Sequence, residues 1–130
     1  MTTTRPAFSA IRAAGVAALL AGLLAACASA PARMEGGALV GATGMTLYTF
    51  DRDAAGSGKS VCNGPCAVNW PPLMAAESAR PTGEYTVVTR DDGKKQWAFK
   101  GKPIYFWVKD QKPGDKTGEG VGKVWRVARE

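Results

Sequence analysis

No histidine occurs among the 130 residues, and that absence removes most familiar catalytic arrangements. Ser-His and Cys-His nucleophiles cannot be built, the commonest general base is missing, and zinc lacks its usual nitrogen ligands. A c-type haem attachment is excluded too, because no CxxCH is present. Charge of one sign is never concentrated: 17 Lys and Arg are interspersed with 11 Asp and Glu, with no run of five like charges. That pattern describes a solvated surface and excludes a nucleic-acid groove as partner. "GSGKS", Gly56 to Ser60, resembles the tail of a phosphate loop, but Asp53 stands where the first Gly is required and would repel phosphate, so it is read as a flexible loop. "DRDAAG" fails as a calcium loop, since Ala55 replaces an oxygen ligand and Cys62 occupies the position of the closing Glu. A glycosidase-like pair of acids is also missing, because Asp51 and Asp53 are too close in sequence to face each other across a cleft.

What is present begins with a leader. Arg5 and Arg12 form a positive n-region, "AAGVAALLAGLLA" is an apolar h-region, and "LAAC" ends at Cys27. The apolar run is shorter than the ~20 residues of a membrane span, so it is read as a signal peptide. Leu24, Ala25, Ala26 and Cys27 resemble the lipobox of bacterial lipoproteins. The resemblance implies that Cys27 becomes the first mature residue and carries acyl chains, at about 0.8 kcal/mol per buried CH₂, so the membrane is the expected partner. Ala28 lacks the Asp that retains lipoproteins at an inner membrane, which implies the outer membrane of a Gram-negative host, facing the periplasm or the cell surface. Loss of Arg5 and Arg12 would leave 15 basic against 11 acidic residues, a net charge of +4. The organisation expected is a signal peptide over 1–26, a tether over 27–37 and one domain over 38–130.

Two cysteines then remain, Cys62 and Cys66 in "CNGPC". In an oxidising compartment a close pair bonds to itself, here across a turn made by Gly64 and Pro65. A five-residue loop contributes only about 2 kcal/mol in the chain-entropy model, which leaves room for a redox role or for copper(I) ligation with Met45 or Met74. The structural reading is preferred, because the spacing exceeds the usual redox motif by one residue.

The fold class expected is mainly β, a small antiparallel domain with a short helix or turn near "CAVNW". "ALVGA" and "MTLYTF" flank "TG" as a hairpin; "EYTVVTR", "KKQWAF" and "PIYFWV", separated by "DDG" and "KGK", form a meander; "KVWRVA" is the last strand. Alternation places Tyr48 with Phe50, and Tyr105 with Trp107, on single faces. Ile104, Phe106 and Val108 are apolar on the other face of the second strand, so that strand is expected to be central and covered on both sides. The chain also repeats itself. Tyr48, Phe50 and Asp53 in "LYTFDRD" are echoed by Tyr105, Trp107 and Asp110 in "IYFWVKD", and the following Trp70 and Trp125 lie 22 and 20 residues after their tyrosines. Two pseudo-repeats of roughly fifty residues, each too small to bury its own core, are therefore expected to pack together.

These segments, with "SVCNGPCAVNWPPL" and "PGDKTGEGVGKVWRV", resemble bacterial lipoproteins with a repeated Yx(F/W/Y)xxD motif, a secreted repeat of unknown function. The resemblance implies an extracytoplasmic, anchored, largely β domain without an established activity. The aromatics are read as core, with each Asp accepting backbone N–H bonds from the turn after it. Trp70 and Trp125 are each read as anchoring their own half, the alternative being a stacking platform for sugars. The chain is expected to be no enzyme, with no catalytic residues, cofactor or metal, and to serve a binding or structural role toward an envelope protein or polymer. A redox or copper-handling accessory using Cys62 and Cys66, and a surface carbohydrate or polymer binder, are the alternatives.

Overall fold

The alternating stretches become strands in the expected order. The computed structural model describes residues 2–4 and 29–130; the leader, Arg5, Arg12 and the lipobox with Cys27 lie outside the described residues. The first repeat supplies β1 (Arg33–Glu35), β2 (Ala38–Val40) and β3 (Tyr48–Phe50), then a short helix α1 (Pro65–Asn69) and β4 (Met74–Ala75). The second supplies β5 (Tyr85–Thr89), β6 (Lys95–Phe99), β7 (Lys102–Tyr105) and β8 (Trp125–Val127). Pro65 opens α1 at a position where its missing N–H costs nothing. Among the described residues no helix is long and apolar enough to cross a membrane.

The ordered body starts before Ala38. Ala32 is buried, and β1 pairs with β2 in the register Met34↔Leu39 across Gly36 and Gly37, both at positive φ. Residues 33–37 are thus part of the sheet structure and not of a tether. Their left-handed glycine pair is the backbone that a two-residue hairpin demands. The meander forms as expected, β5 against β6 from Tyr85↔Phe99 to Thr89↔Lys95, and β6 against β7 at Ala98↔Pro103. The tight turn between β6 and β7 places Lys100 and Gly101 at positive φ.

In the larger sheet the strand order is β4-β6-β7-β3-β8, with β5 on β6, and all pairings are antiparallel. The two motif strands are neighbours, with Tyr48 opposite Tyr105. That register generates a local two-fold axis between the tyrosines, and the rest of the molecule follows it. Tyr48 also faces Val127, and Tyr105 faces Pro72, so the tail of each repeat lies beside the motif strand of the other. The backbone bonds match in pairs. Leu73 donates to Ile104 at 3.0 Å as Ala128 does to Leu47 at 2.9 Å, and Trp97 donates to Leu73 at 2.8 Å as Leu39 does to Ala128 at 2.9 Å. The repeats therefore share one sheet with exchanged ends.

Alternation on this sheet separates two cores. Tyr48, Phe50, Tyr105, Trp125 and Val127 point to one side with Cys62 and Trp70; Leu47, Ile104 and Ala128 point to the other with Leu39, Tyr85 and Phe99. β7 is central and buried on both faces up to Tyr105, as expected, but it ends there. The amides of Phe106 and Val108 turn to the carbonyls of Pro71 (2.7 Å) and Asn69 (3.1 Å), which leaves Val108 about half exposed instead of covered.

Candidate functional site

The six motif residues converge on the axis between the repeats, and they do so reciprocally. The Tyr48 hydroxyl donates to Oδ2 of Asp110 at 2.6 Å, and the Tyr105 hydroxyl donates to Oδ2 of Asp53 at 2.5 Å. Each tyrosine takes the carboxylate of the opposite repeat. Both phenols and both carboxylates are buried, where hydrogen bonds to a charged acceptor are roughly twice as strong as neutral ones. Each Asp also binds the loop after it: Asp53 accepts from the Val61 amide at 2.8 Å, and Asp110 accepts from the Thr117 amide and hydroxyl at 3.0 and 2.6 Å.

The aromatic rings carry the same symmetry. Phe50, Trp125, Trp70 and Trp107 form a continuous stack with centroids 4.3, 3.8 and 3.9 Å apart. Successive rings come from alternate repeats. Tyr48 meets Trp70, and Tyr105 meets Trp125, edge to face at 5.3 and 5.1 Å. Such pairs are worth about 0.5–1.5 kcal/mol each beyond their burial. Trp70 and Trp125 thus do not anchor separate halves but join them. Their faces are occupied by other rings, so they offer no sugar platform. Trp107 ends the stack half-buried, with Nζ of Lys109 at 5.8 Å from its ring.

Around Asp53 the network extends to a buried cation that the strand reading passed over. Arg90 donates to Ser60 Oγ (3.0 Å), Gln96 Oε1 (2.7 Å), the Cys62 carbonyl (2.6 Å) and Asn63 Oδ1 (3.2 Å). Ser60 Oγ lies 2.6 Å from the Tyr105 hydroxyl. Because that hydroxyl gives its proton to Asp53, Ser60 is the donor, and the chain of bonds runs from guanidinium to carboxylate in one direction. Burial pushes the Asp53 carboxyl above its ordinary value, against the opposing bonds from Tyr105 and the Val61 amide and the charges of Lys102 and Arg90. Burial, reinforced by the carboxylate each one faces, holds the phenols of Tyr48 and Tyr105 well above theirs.

Ser60, Arg90, Gln96, Thr117 and Gly118 were not singled out by the sequence reading. Ser60 ends "GSGKS" and is buried in the network, whereas Gly56 to Lys59 before it are exposed. Arg90 had a readable signal: it continues the buried face of Val88, the register partner of Gln96, two residues on. Gly118 donates its amide to the Tyr48 hydroxyl at 3.2 Å, and a Cβ there would meet Tyr48 ring carbons at 2.7 and 2.8 Å and Trp70 Cη2 at 2.9 Å. Gly118→Ala should therefore cost about 1–3 kcal/mol of stability through overpacking, measured by denaturant unfolding. An unchanged midpoint would show that the loop yields freely.

Cys62 and Cys66 are joined in a disulfide spanning the start of α1. Cys62 is fully buried beside the stack, its carbonyl held by Arg90 and its amide by Ser60 Oγ at 3.2 Å. Asp51 stays at the surface, 3.2 Å from Arg126 in an exposed ion pair of little energetic consequence. Three surface hollows are lined elsewhere: one by Thr49, Phe99, Lys100 and Lys102 among others, one by Ser78 to Thr82 with Trp97, one by Met34 and the Gly36 turn. None of the three reaches the phenols, the motif carboxylates or the disulfide.

The reciprocal geometry makes a prediction that an in-repeat motif does not. In double-mutant cycles, Tyr48→Phe should couple to Asp110→Asn, and Tyr105→Phe to Asp53→Asn, by about 1.5–3 kcal/mol. The in-motif pair Tyr48 with Asp53 should couple by less than about 0.5 kcal/mol. The opposite ranking, read from denaturant unfolding, would contradict the exchange.

Comparison with known proteins divides the chain at the same place. Residues 30–74 and 86–129 each match the model of a family described as a secreted repeat of unknown function, and these stretches are the two halves related by the local axis. No curated protein and no solved structure matches the chain.

Proposed function

The chain belongs to the family of secreted repeats of unknown function, and from that premise we propose that it is a lipid-anchored, non-enzymatic module of the cell envelope. Acyl chains on Cys27 hold it to a membrane, the outer membrane where the host has one, and its surface serves an envelope protein or polymer. An extracytoplasmic location accords with the family and with the disulfide between Cys62 and Cys66. One observation carries the non-enzymatic reading: the buried phenols and carboxylates satisfy one another across the repeats, away from the three hollows.

A redox or copper-handling role for Cys62 and Cys66 draws less support, because the Cys62 peptide group is gripped on both sides and its side chain is buried. A carbohydrate-binding surface would have to use the half-buried Trp97 or Trp107, since Trp70 and Trp125 are enclosed.

Metabolic labelling with a palmitate analogue, followed by membrane fractionation, tests the anchor. The full chain should label and sediment with membranes, whereas Cys27→Ala should remain unlabelled and soluble. An unlabelled wild-type chain removes the lipid anchor from the proposal. For the cysteines, a reduction potential below about −300 mV is expected of a structural bond; a potential near that of periplasmic oxidants would favour the redox accessory.

A further inference from the structure

The buried aromatic cluster has a property that packing alone does not require. Three indoles, Trp107, Trp70 and Trp125, are in face-to-face contact at 3.9 and 3.8 Å, and one end of the row, Trp107, reaches the surface. Two phenols touch this row, Tyr48 on Trp70 and Tyr105 on Trp125. Each phenol carries its own proton acceptor, Asp110 or Asp53, at 2.6 and 2.5 Å. A phenol loses an electron readily only if its proton can leave at the same time, and a hydrogen-bonded carboxylate is the base for that transfer. Among the described residues the third tyrosine, Tyr85, has no such carboxylate: its hydroxyl donates to the Ala32 carbonyl, at 3.3 Å.

We propose that the stack is a one-electron conduit, through which outer-sphere oxidants at the surface withdraw electrons from Tyr48 and Tyr105 by way of Trp107. An electron leaves Trp107 for the oxidant, which is reduced by one electron. The vacancy passes to Trp70, from which Tyr48 fills it, or onward to Trp125, from which Tyr105 fills it. The phenolic proton moves to Asp110 or Asp53 in the same event. The balance is tyrosine plus aspartate plus oxidant giving phenoxyl radical, aspartic acid and reduced oxidant. The vacancy rests on the phenol because a phenoxyl radical that has shed its proton lies below an indole radical cation. A one-electron reductant at the same surface reverses each step. The exposed Lys109, 5.8 Å from the Trp107 ring, makes anionic oxidants the favoured partners by Coulomb attraction. The chemistry is independent of the lipid anchor, so either proposal can fail without the other.

The full chain mixed with hexachloroiridate(IV), an anionic one-electron oxidant, tests this by stopped flow and freeze-quench electron paramagnetic resonance. The expected result is a phenoxyl radical that survives Tyr85→Phe and is lost in Tyr48→Phe/Tyr105→Phe. Trp107→Leu should slow its formation several-fold while leaving a cooperative unfolding transition. Lys109→Glu changes only the exposed approach to the stack: it should slow the reaction with hexachloroiridate(IV) and accelerate that with cationic tris(bipyridyl)ruthenium(III). The proposal is overturned if no phenoxyl radical forms, if the radical disappears with Tyr85→Phe, or if Trp107→Leu and Lys109→Glu leave the rates unchanged.

Discussion

Arg90→Leu is expected to destabilise the fold by about 3–5 kcal/mol, the range for removing one member of a buried charged network. The guanidinium donates to Gln96, Ser60, Asn63 and the Cys62 carbonyl, and with Lys102 it is one of two cations whose field reaches Asp53. Leucine takes the close donor from Gln96 Oε1 and from the Cys62 carbonyl, each at about 1–3 kcal/mol for a buried group without a partner, whereas Ser60 Oγ keeps the Cys62 amide and Tyr105, and Asn63 is only partly buried. Arg90→Lys should recover only part of the loss, because a single ammonium cannot reproduce a planar fork reaching several acceptors. Denaturant unfolding measures both. A loss below about 1 kcal/mol for Arg90→Leu would show that the loop around Cys62 rearranges to satisfy itself.

Raising the pH should undo the same core steeply. Burial holds Tyr48 and Tyr105 above their ordinary value of 10.0, so the sign is that of a raised group. The stabilisation is complete below the unfolded value and is lost as pH climbs toward the folded ones. In that window the unfolded chain sheds two phenolic protons that the folded chain keeps at Tyr48 and Tyr105, and Tyr85, also raised by burial, adds to the difference. Stability should therefore fall by at least about 2.7 kcal/mol per pH unit, twice the single-group slope. Asp53 shifts upward too, but both its states are ionised at alkaline pH, so it adds nothing to this slope; its own stabilisation belongs to acid solution and is lost as pH rises through its folded value. Urea unfolding between pH ~9 and ~11.5 gives the slope, and Tyr48→Phe or Tyr105→Phe should each remove one proton's share. A flat profile would mean that the phenols ionise as readily folded as unfolded.

Both expectations concern groups that look ordinary in the sequence. Arg90 precedes "DDG" at a strand end, the usual place for a solvated charge, and only its alternation with Val88 marks it as inward. Asp53 and Asp110 are recognisable as turn acceptors, since the Val61 and Thr117 amides lie eight and seven residues downstream. Their phenolic partners are not. Tyr48 and Asp110 are 62 residues apart, and the nearer carboxylate, Asp53, is the one Tyr48 does not use. The β1 hairpin shows a smaller version of the same limit: "RMEGG" reads as small and polar until β2 supplies the partner that makes Arg33–Glu35 a strand.

What the chain by itself determined is everything carried by local spacing. The strands follow from period-two alternation, the turns from glycines that adopt positive φ most readily, the close cysteine pair from its own geometry, and the duplication from two similar half-sequences. Tertiary structure decided which half serves the other. The Tyr48↔Tyr105 register sets a two-fold axis, exchanges the tails, carboxylates and stacked rings, and draws Arg90 inward. That choice lies beyond local pattern because either repeat could offer the same groups to itself; burial of both cores together is what selects the exchanged arrangement.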